Sequence, residues 1–522
     1  MKTLIRALPA VVAGTLLLAA CGNSSGPKDE PLKLKTGKDT LLNISAAQLF
    51  DAGKGGAVTQ IAKPEHGTVE SVAGGGVRYM PDRGFTGTEK LKLTTAPGVA
   101  LFSTDIAPLA EAGNATIQAS AHGSALTPVP GAPGEFYGLT DRGPNVDGRS
   151  DDEKVEPVPD FTPEIGRFRL GGGTATLERV IKLTAPDGAP LNGLVDPGAA
   201  TGETIVDLDG RPQPTSVRGL DPEGLVAMKD GTFWVSDEYG PYLVHFDANG
   251  KELERLSPGK GLPAELALRT PNQGMEGLTV TPDGGTLVGI MQSALKTPGL
   301  GGSAKSVPLT RIVTVDLKTK AVREFGYLLD DPQKTGKAVS EITAVSPTEF
   351  LVDERDGKLA PGANKVIYRV DIAGATDIGP STKVGQYSPN AGIEVGGQAL
   401  ETMVGVTDPA AAQAKLKQAG ITVVKKTVAL DLGKLLDRLS PRGMFYAHDK
   451  IEGVATLDGG RTLYISNDSD FGLAGLDSEK PPFTLKEKTL PNGMQDTGEI
   501  LEVDTSKVTE PTVERSIEVS VR

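Results

Sequence analysis

The sequence contains one cysteine and four histidines in 522 residues. An intrachain disulfide is therefore excluded, as is a Cys/His cluster for structural zinc, iron–sulfur or haem, and any bound metal must be held mainly by oxygen. Aromatic residues make up only 4% of the chain. That leaves little material for a sugar-stacking surface, and the single tryptophan, Trp234, reads as a packing residue. Positive charge is in deficit, with 54 Lys and Arg against 67 Asp and Glu for a net charge of −13. Such a surface repels phosphate backbones, and no basic stripe offsets it, so nucleic acid is not an expected partner. No Gly-Lys pair is followed by Ser or Thr, which excludes a P-loop, and no Arg-His-Gly run supports a phosphohistidine mechanism. Residues 22–26 match the Gly-x-Ser-x-Gly letters of a nucleophile elbow, but they have neither the strand before nor the helix after that the elbow requires.

The N-terminus reads MKTLIRALPAVVAGTLLLAAC. Lys2 and Arg6 precede an apolar stretch, Ala7 to Ala20, of signal-peptide length and too short to span a bilayer. The run Leu18-Ala19-Ala20-Cys21 resembles a bacterial lipobox, which implies lipidation of Cys21; an ordinary secretion signal with an incidental Cys is the alternative. Residues 21–31 form a polar tether. Removal of residues 1–20 takes Lys2 and Arg6 with it and moves the net charge to −15. The expected location is the outer face of the cell membrane, with the lipid as the only membrane contact.

What the chain does have is turns, with 66 Gly and 38 Pro. From 32 to 96 the pattern alternates in period two, as in Val77-Arg78-Tyr79-Met80 and Leu91-Lys92-Leu93, with a turn at Pro81-Asp82-Arg83-Gly84. This predicts a small β-sandwich. The stretches His66-Gly67-Thr68-Val69, Val77 to Pro81 and Gly84-Phe85-Thr86-Gly87-Thr88 resemble bacterial immunoglobulin-like or cadherin-like modules, which implies a spacer or adhesive unit.

From 98 to 522 an internal repeat dominates. Glu223-Gly224-Leu225 leads to Trp234-Val235-Ser236-Asp237-Glu238, Glu276-Gly277-Leu278 to Ile290-Met291-Gln292, Glu341-Ile342-Thr343 to Val352-Asp353-Glu354, and Glu452-Gly453-Val454 to Ser466-Asn467-Asp468. In each, a Glu opens a short apolar strand, a turn follows, and a second strand ends in acidic or amide residues. A divergent fifth copy, Tyr137 to Gly143, lacks the opening Glu. Short strands apolar on both faces and repeated every 50 to 70 residues suit an all-β fold, a β-propeller of about six blades. Helical patterns are few. Asp408 caps and Pro409 starts one that stops at Gly420, and Leu432, Leu435, Leu436 and Leu439 stripe another. Both lie in an insertion at about 380–447 that would suit a lid.

In a propeller the loops around the first two strands of each blade meet at one mouth. Asp141, Asp237, Glu238, Glu341, Asp353, Glu354, Glu452, Asn467 and Asp468 are then expected as metal ligands, with Gln292 near them. Unpaired carboxylates so crowded must be protonated, paired with Arg or bound to a cation. An irregular ring of oxygens suits Ca2+ better than Mg2+ or Mn2+. Glu223 or Glu276 is the expected base for water. Arg142 and Arg355 are candidates to hold a departing anion, and His122 to act as a general acid or ligand. The bland alternatives are turn residues for each Glu-Gly, structural ion pairs for the arginines and a structural role for His122.

At Tyr137 to Asn145, Asp221-Pro222-Glu223-Gly224-Leu225, Trp234 to Gly240, Asn272 to Leu278 and Ile451 to Val454 the chain resembles the bacterial phytase-like family, with esterase-like activity of the phytase type. The likeness runs from about 98 to 520. It implies a secreted propeller hydrolase, monomeric, acting on a small phosphoester or carboxylic ester. The Glu-Gly-Leu repeat also resembles calcium-dependent propellers such as gluconolactonase and paraoxonase. The rival expectation is a non-catalytic surface protein with a calcium-stiffened propeller.

Overall fold

A computed structural model describes residues 30–522 except 151, 200 and 201. The expected signal segment 1–20, Cys21 and most of the expected tether lie outside the described residues. The chain is mostly β.

Among the described residues, five antiparallel groups of four strands, each termed a sheet, make up its body. The first and fifth are joined edge to edge by a single parallel pairing of Thr174 with Ser103, and the second carries a short fifth strand, Gly261–Leu262. Sheet 1 is built from Ala125–Pro128, Glu135–Leu139, Glu164–Gly171 and Thr174–Lys182, and sheet 2 from Pro222–Ala227, Phe233–Asp237, Leu243–Phe246 and Glu252–Pro258. Sheet 3 comprises Met275–Val280, Thr286–Met291, Leu309–Asp316 and Val322–Leu328, and sheet 4 Ala338–Ala344, Glu349–Arg355, Lys365–Asp371 and Lys425–Asp431. Sheet 5 joins Ile451–Thr456, Thr462–Asn467 and Glu499–Asp504 to Val99–Ser103, so a strand from the start of the body closes the sheet made at its end. The first strands of the five sheets adjoin in sequence order, and that of sheet 5 adjoins that of sheet 1. The result is a closed ring of five such sheets among the described residues, with the architecture of a propeller, against an expectation of about six blades.

The glycines of the repeat are required by this ring. A Cβ on Gly224 would lie 2.5 Å from the Leu278 backbone nitrogen, one on Gly277 2.5 Å from that of Ile342, and one on Gly453 2.7 Å from that of Leu126. Each lets the next first strand come close. Apolar cores fill the joints between sheets, for example Leu225, Val235 and Val244 with Leu139 and Ile165, and Val352 and Ile342 with Ile290 and Ile312.

The N-terminal unit has two sheets, one of Leu32–Thr36, Val513–Val521, Gly87–Ala96 and Ala57–Ile61, the other of Leu42–Ile44, Gly76–Pro81 and Gly67–Val72. A helix, Ala46–Ala52, starts at a Ser45/Gln48 capping box. The expected boundaries need correction, because the last strand of the chain belongs to this unit. Val513–Val521 runs parallel to Leu32–Thr36 and antiparallel to Gly87–Ala96, and buries Ile517 and Val519 against Leu91, Leu93 and Tyr79.

The insertion also differs from expectation. Lys425–Asp431 is the outer strand of sheet 4, and Leu432–Leu439 packs its leucines beneath sheets 4 and 5. The rest, including the helix Pro409–Gln418 capped by Asp408, packs against the flank of sheet 3 through Leu400, Val404 and Leu416 on Val307 and Leu309. The cover at the acidic end of the ring is made instead by a small sheet (Val146–Asp147, Glu153–Val155, Thr204–Val206) and two hairpins, which share a core of Ile117, Val155, Phe471 and Phe483.

Candidate functional site

Strand register decides which side chains reach the axis. In sheet 2, Gly224 pairs with Ser236 and Pro222 with Asp237, so Glu223 is a bulged residue with no partner across the ladder. The same irregularity falls at Glu276 in sheet 3, at Ser340 in sheet 4 and at Glu452-Gly453 in sheet 5. Ser124 is the matching position in sheet 1, since Ala125 pairs with Leu139. The bulged positions around the ring are thus Ser124, Glu223, Glu276, Ser340 and Glu452. One residue past each second strand's pairing with the bulge, the matching set is Asp141, Glu238, Gln292, Arg355 and Asp468.

Contacts tie five of these ten together. Gln292 Nε2 donates to Glu238 Oε1 at 3.0 Å, the Arg355 guanidinium pairs with Glu452, and Arg355 Nε donates to Ser340 Oγ at 2.9 Å. Asp221, just before the bulge of sheet 2, offers a carboxylate oxygen that lies with those of Glu223 and Glu238 inside 4.8 Å of one another. Asp221 accepts the Arg142 backbone N–H at 3.2 Å and lies 4.0 Å from Arg142 Nε. Glu276 Oε2 and Ser124 Oγ are buried without a hydrogen-bond partner.

Burial under the cover raises the affinity of these carboxyls for protons. Asp141 is pushed well above the carboxylate range by burial and then by Asp468 and Asp221. Glu223 and Glu238 are pushed well up too, by burial and then by their acidic neighbours. Burial, with Glu452 next, brings Glu276 up to about 8, and burial brings Asp468 up to about 7. The site holds protons or a cation, and its donors near Asp221 are all oxygen, the set that suits a hard ion.

Glu223, Glu276, Glu452, Asp141, Glu238, Asp468 and Arg355 lie close enough that the charge of each bears on others of the group. Arg142 stands at the edge of the group, its Nη1 2.7 Å from Glu203 Oε1 and its Nη2 3.1 Å from Asn145. The remaining expected ligands do not face the axis. Glu341 occupies the place that is Gly224 in sheet 2 and accepts N–H bonds from Leu278 (3.2 Å) and Ile342 (2.8 Å). Asp353 and Glu354 come one position early, because the bulge of sheet 4 is Ser340. Asp353 is buried between sheets near Lys365 and Arg355, which temper a carboxyl that burial drives to about 7. Glu354 is on the opposite strand face, accepting from Tyr327 Oη at 2.5 Å and the Asp330 N–H at 3.1 Å, and pairing with Lys426. Asp237 accepts the backbone N–H groups of Asp221 (2.9 Å) and Gly240, holding the turn. Asn467 donates to Asp496 (3.2 Å) and Thr497 (3.1 Å) and accepts from Glu499 N–H (2.8 Å). His122 lies over the Gly138–Gly166 pair of sheet 1, edge-on to Phe168 and 3.2 Å from Glu164, as a packing residue.

Sequence reasoning missed Asp221 as a candidate ligand, although its place in Asp221-Pro222-Glu223 was a signal. It also missed the cations of the mouth. Lys450 Nζ lies 3.3 Å from Asp468 and 2.5 Å from Asp470, and Lys488 Nζ lies 2.6 Å from both Asp449 and Asp470. Behind them His448 is enclosed between Asp496 (2.8 Å) and Glu499 (3.0 Å). These residues sit in loops and strand ends with no local pattern.

The model of the family described as "Phytase-like: Esterase-like activity of phytase" matches residues 120–471, which contain every one of the ten axial positions. The chain belongs to this family. A curated relative from Arthroderma benhamiae, described as an uncharacterized secreted protein, is 31% identical over 245 residues, which cover 36% of this chain and 48% of the relative. The match thus spans about half the length of that relative. Among solved structures, the periplasmic gluconolactonase PpgL of Pseudomonas aeruginosa is 10% identical with a TM-score of 0.31, covering 88% of this chain and 99% of that one. The calcium-binding protein regucalcin of Agrobacterium tumefaciens is 9% identical with a TM-score of 0.30, covering 74% and 91%. No helix among the described residues of this family member is long and apolar enough to cross a membrane.

Proposed function

We propose that the chain is an exported, metal-dependent hydrolase of small phosphoesters or carboxylic esters, with Ca2+ held by Asp221, Glu223 and Glu238. The observation that carries this reading is the convergence of those three carboxylates at the covered end of the ring, beside the Glu276 carboxyl, whose buried Oε2 has no hydrogen-bond partner and which neighbours Gln292, Glu238 and Arg355. When bound, such a cation neutralises an anionic or carbonyl oxygen and lowers the pKa of a water it touches.

The chain's own residues supply the rest. Gln292 fixes Glu238 by a hydrogen bond to Oε1. Glu276, uncommitted at Oε2, takes the proton of the attacking water and returns it to the leaving oxygen. Arg355, anchored on Glu452 and Ser340, holds positive charge beside Glu276 for the departing group. The cover, the small sheet and two hairpins packed on Val155, Phe471 and Phe483, limits water around the reacting atoms. Substrates are small molecules, the working unit is a monomer, and the N-terminal unit is a spacer between the ring and a membrane anchored through Cys21. The relative described as secreted supports export.

The test is turnover of p-nitrophenyl phosphate, p-nitrophenyl acetate, a lactone and phytate, with Ca2+ or with chelator. Calcium-dependent turnover of at least one, lost in Glu276→Gln with folding preserved, is expected. No turnover of any substrate, with Ca2+ raising only thermal stability, would leave a binding protein instead.

A further inference from the structure

The ring mouth is electrically lopsided. On the side of sheet 5, four carboxylates surround two ammonium groups. Lys450 bridges Asp468 and Asp470 at 3.3 and 2.5 Å, while Lys488 reaches Asp449 and Asp470 at 2.6 Å each and Asp496 at 3.3 Å. On the side of sheets 2 and 3, Asp221, Glu223, Glu238 and Glu276 have no ammonium group at direct ion-pair distance among the described residues; Lys450 acts on Asp221 and Glu238, and Arg355 on Glu276, only from farther off. Arg142 is committed to Glu203 and reaches only Asp221, at 4.0 Å, and Arg355 is committed to Glu452. Four acids that share two ammonium groups, with His448 on the far side of Asp496, resemble in charge and oxygen spacing a group that would otherwise need a divalent ion.

We propose that the mouth uses one divalent cation and one built-in cation: the ammonium groups of Lys450 and Lys488 fill, among Asp449, Asp468, Asp470 and Asp496, the seat a second metal ion would take. Metal then enters only at Asp221, Glu223 and Glu238, and this part rests on the metal reading above. The Lys450 side chain is 33% exposed whereas Lys488 is 8% exposed, so Lys450 is the one that presents fixed positive charge to an entering anion, and Lys488 holds Asp470 in place for it. A metal and a lysine together clamp a substrate as two metals do in two-ion hydrolases.

The experiment counts calcium on the full chain by equilibrium dialysis and titration calorimetry. The wild type is expected to bind one Ca2+ per chain. Lys450→Ala with Lys488→Met is expected to bind two, and adding Asp470→Asn is expected to return the count to one. A wild type that binds two, or a folded double variant that gains none, overturns the proposal. If the double variant does not fold, Lys450→Ala alone should show a second, weaker binding step, and a single step in that variant overturns it equally. A wild type that binds no Ca2+ defeats the metal reading of Asp221, Glu223 and Glu238, yet the lysine variants still decide this inference, since a gain of one ion then sustains it and no gain overturns it.

Discussion

Glu341 reaches across the joint between sheets 3 and 4 and accepts the backbone N–H of Leu278 at 3.2 Å, from a strand position that is glycine in sheets 2, 3 and 5. Its carboxyl does by hydrogen bonding what the glycines do by leaving space. Glu341 therefore has backbone partners on both sides of the joint, whereas Glu276, its apparent counterpart in the repeat, has a buried Oε2 without a hydrogen-bond partner.

Glu341→Ala should leave the Leu278 and Ile342 N–H groups buried without partners. Each such loss costs about 1–3 kcal/mol, so thermal denaturation should show a clearly lowered midpoint while activity per folded molecule stays near wild type. Glu276→Gln should behave the other way, keeping the midpoint and losing turnover. Reversed results for the pair would show that the axial set has been misassigned.

The glycines make a second prediction. Gly224→Ala places a Cβ 2.5 Å from Leu278 N and 2.4 Å from Ser236 Oγ, both inside the ring joint. Overpacking of this kind costs about 1–3 kcal/mol, and more where backbone must move. Gly301→Ala, with nothing within 4 Å of the new Cβ, is the control and should be neutral. Chemical denaturation of the two variants compares them directly.

Much of this arrangement was legible in the residues. Period-two strands, the turn clusters and the recurring Glu-Gly pairs mark sheets whose first strands pack closely, and Asp408, Pro409 and Gly420 bracket a helix as their capping chemistry requires. The exact register was not legible. In sheet 4 the bulge falls on Ser340, so aligning Glu341 with Glu223 shifts that sheet's acids by one and turns Glu354 to the other face. Bulges are set by packing between sheets and leave no local mark. The pairing of Val513–Val521 with a strand at the opposite end of the chain is equally silent, as are Lys450, Lys488 and His448, which act through partners far away in sequence.

His448 gives a pH prediction. Burial alone would lower its affinity for a proton, but Asp496 and Glu499 outweigh that and bring it to about 9. A histidine whose folded pKa exceeds the unfolded value near 6.5 adds stability that is fully present below about 6.5 and lost as pH rises through about 9. The shift corresponds to on the order of 3 kcal/mol. Raised carboxyls such as Glu276 and Asp468 also weaken the fold as pH rises, so the measurement is the difference between wild type and His448→Gln. That difference should be largest at pH 6 and should shrink toward pH 10. A gap independent of pH would mean that His448 is not charged in the folded protein.

Calcium and protons should compete for the same oxygens. Glu223 and Glu238 hold protons well above the usual carboxylate range because of burial and neighbouring acids, so an entering cation must displace them. Affinity should rise with pH, and calorimetry in buffers of different ionisation enthalpy should detect protons released per ion bound. Binding also stabilises the fold, by about 2.7 kcal/mol when Ca2+ is at a hundred times its dissociation constant, so chelator should lower the melting midpoint. Glu223→Gln removes one ligand and one titrating group together, and should abolish both the proton release and the chelator effect. Asp237→Asn touches a turn and not the axis, and should lower the midpoint while leaving proton release intact. If the two variants exchange these behaviours, the cation sits closer to Asp237 than to Glu223.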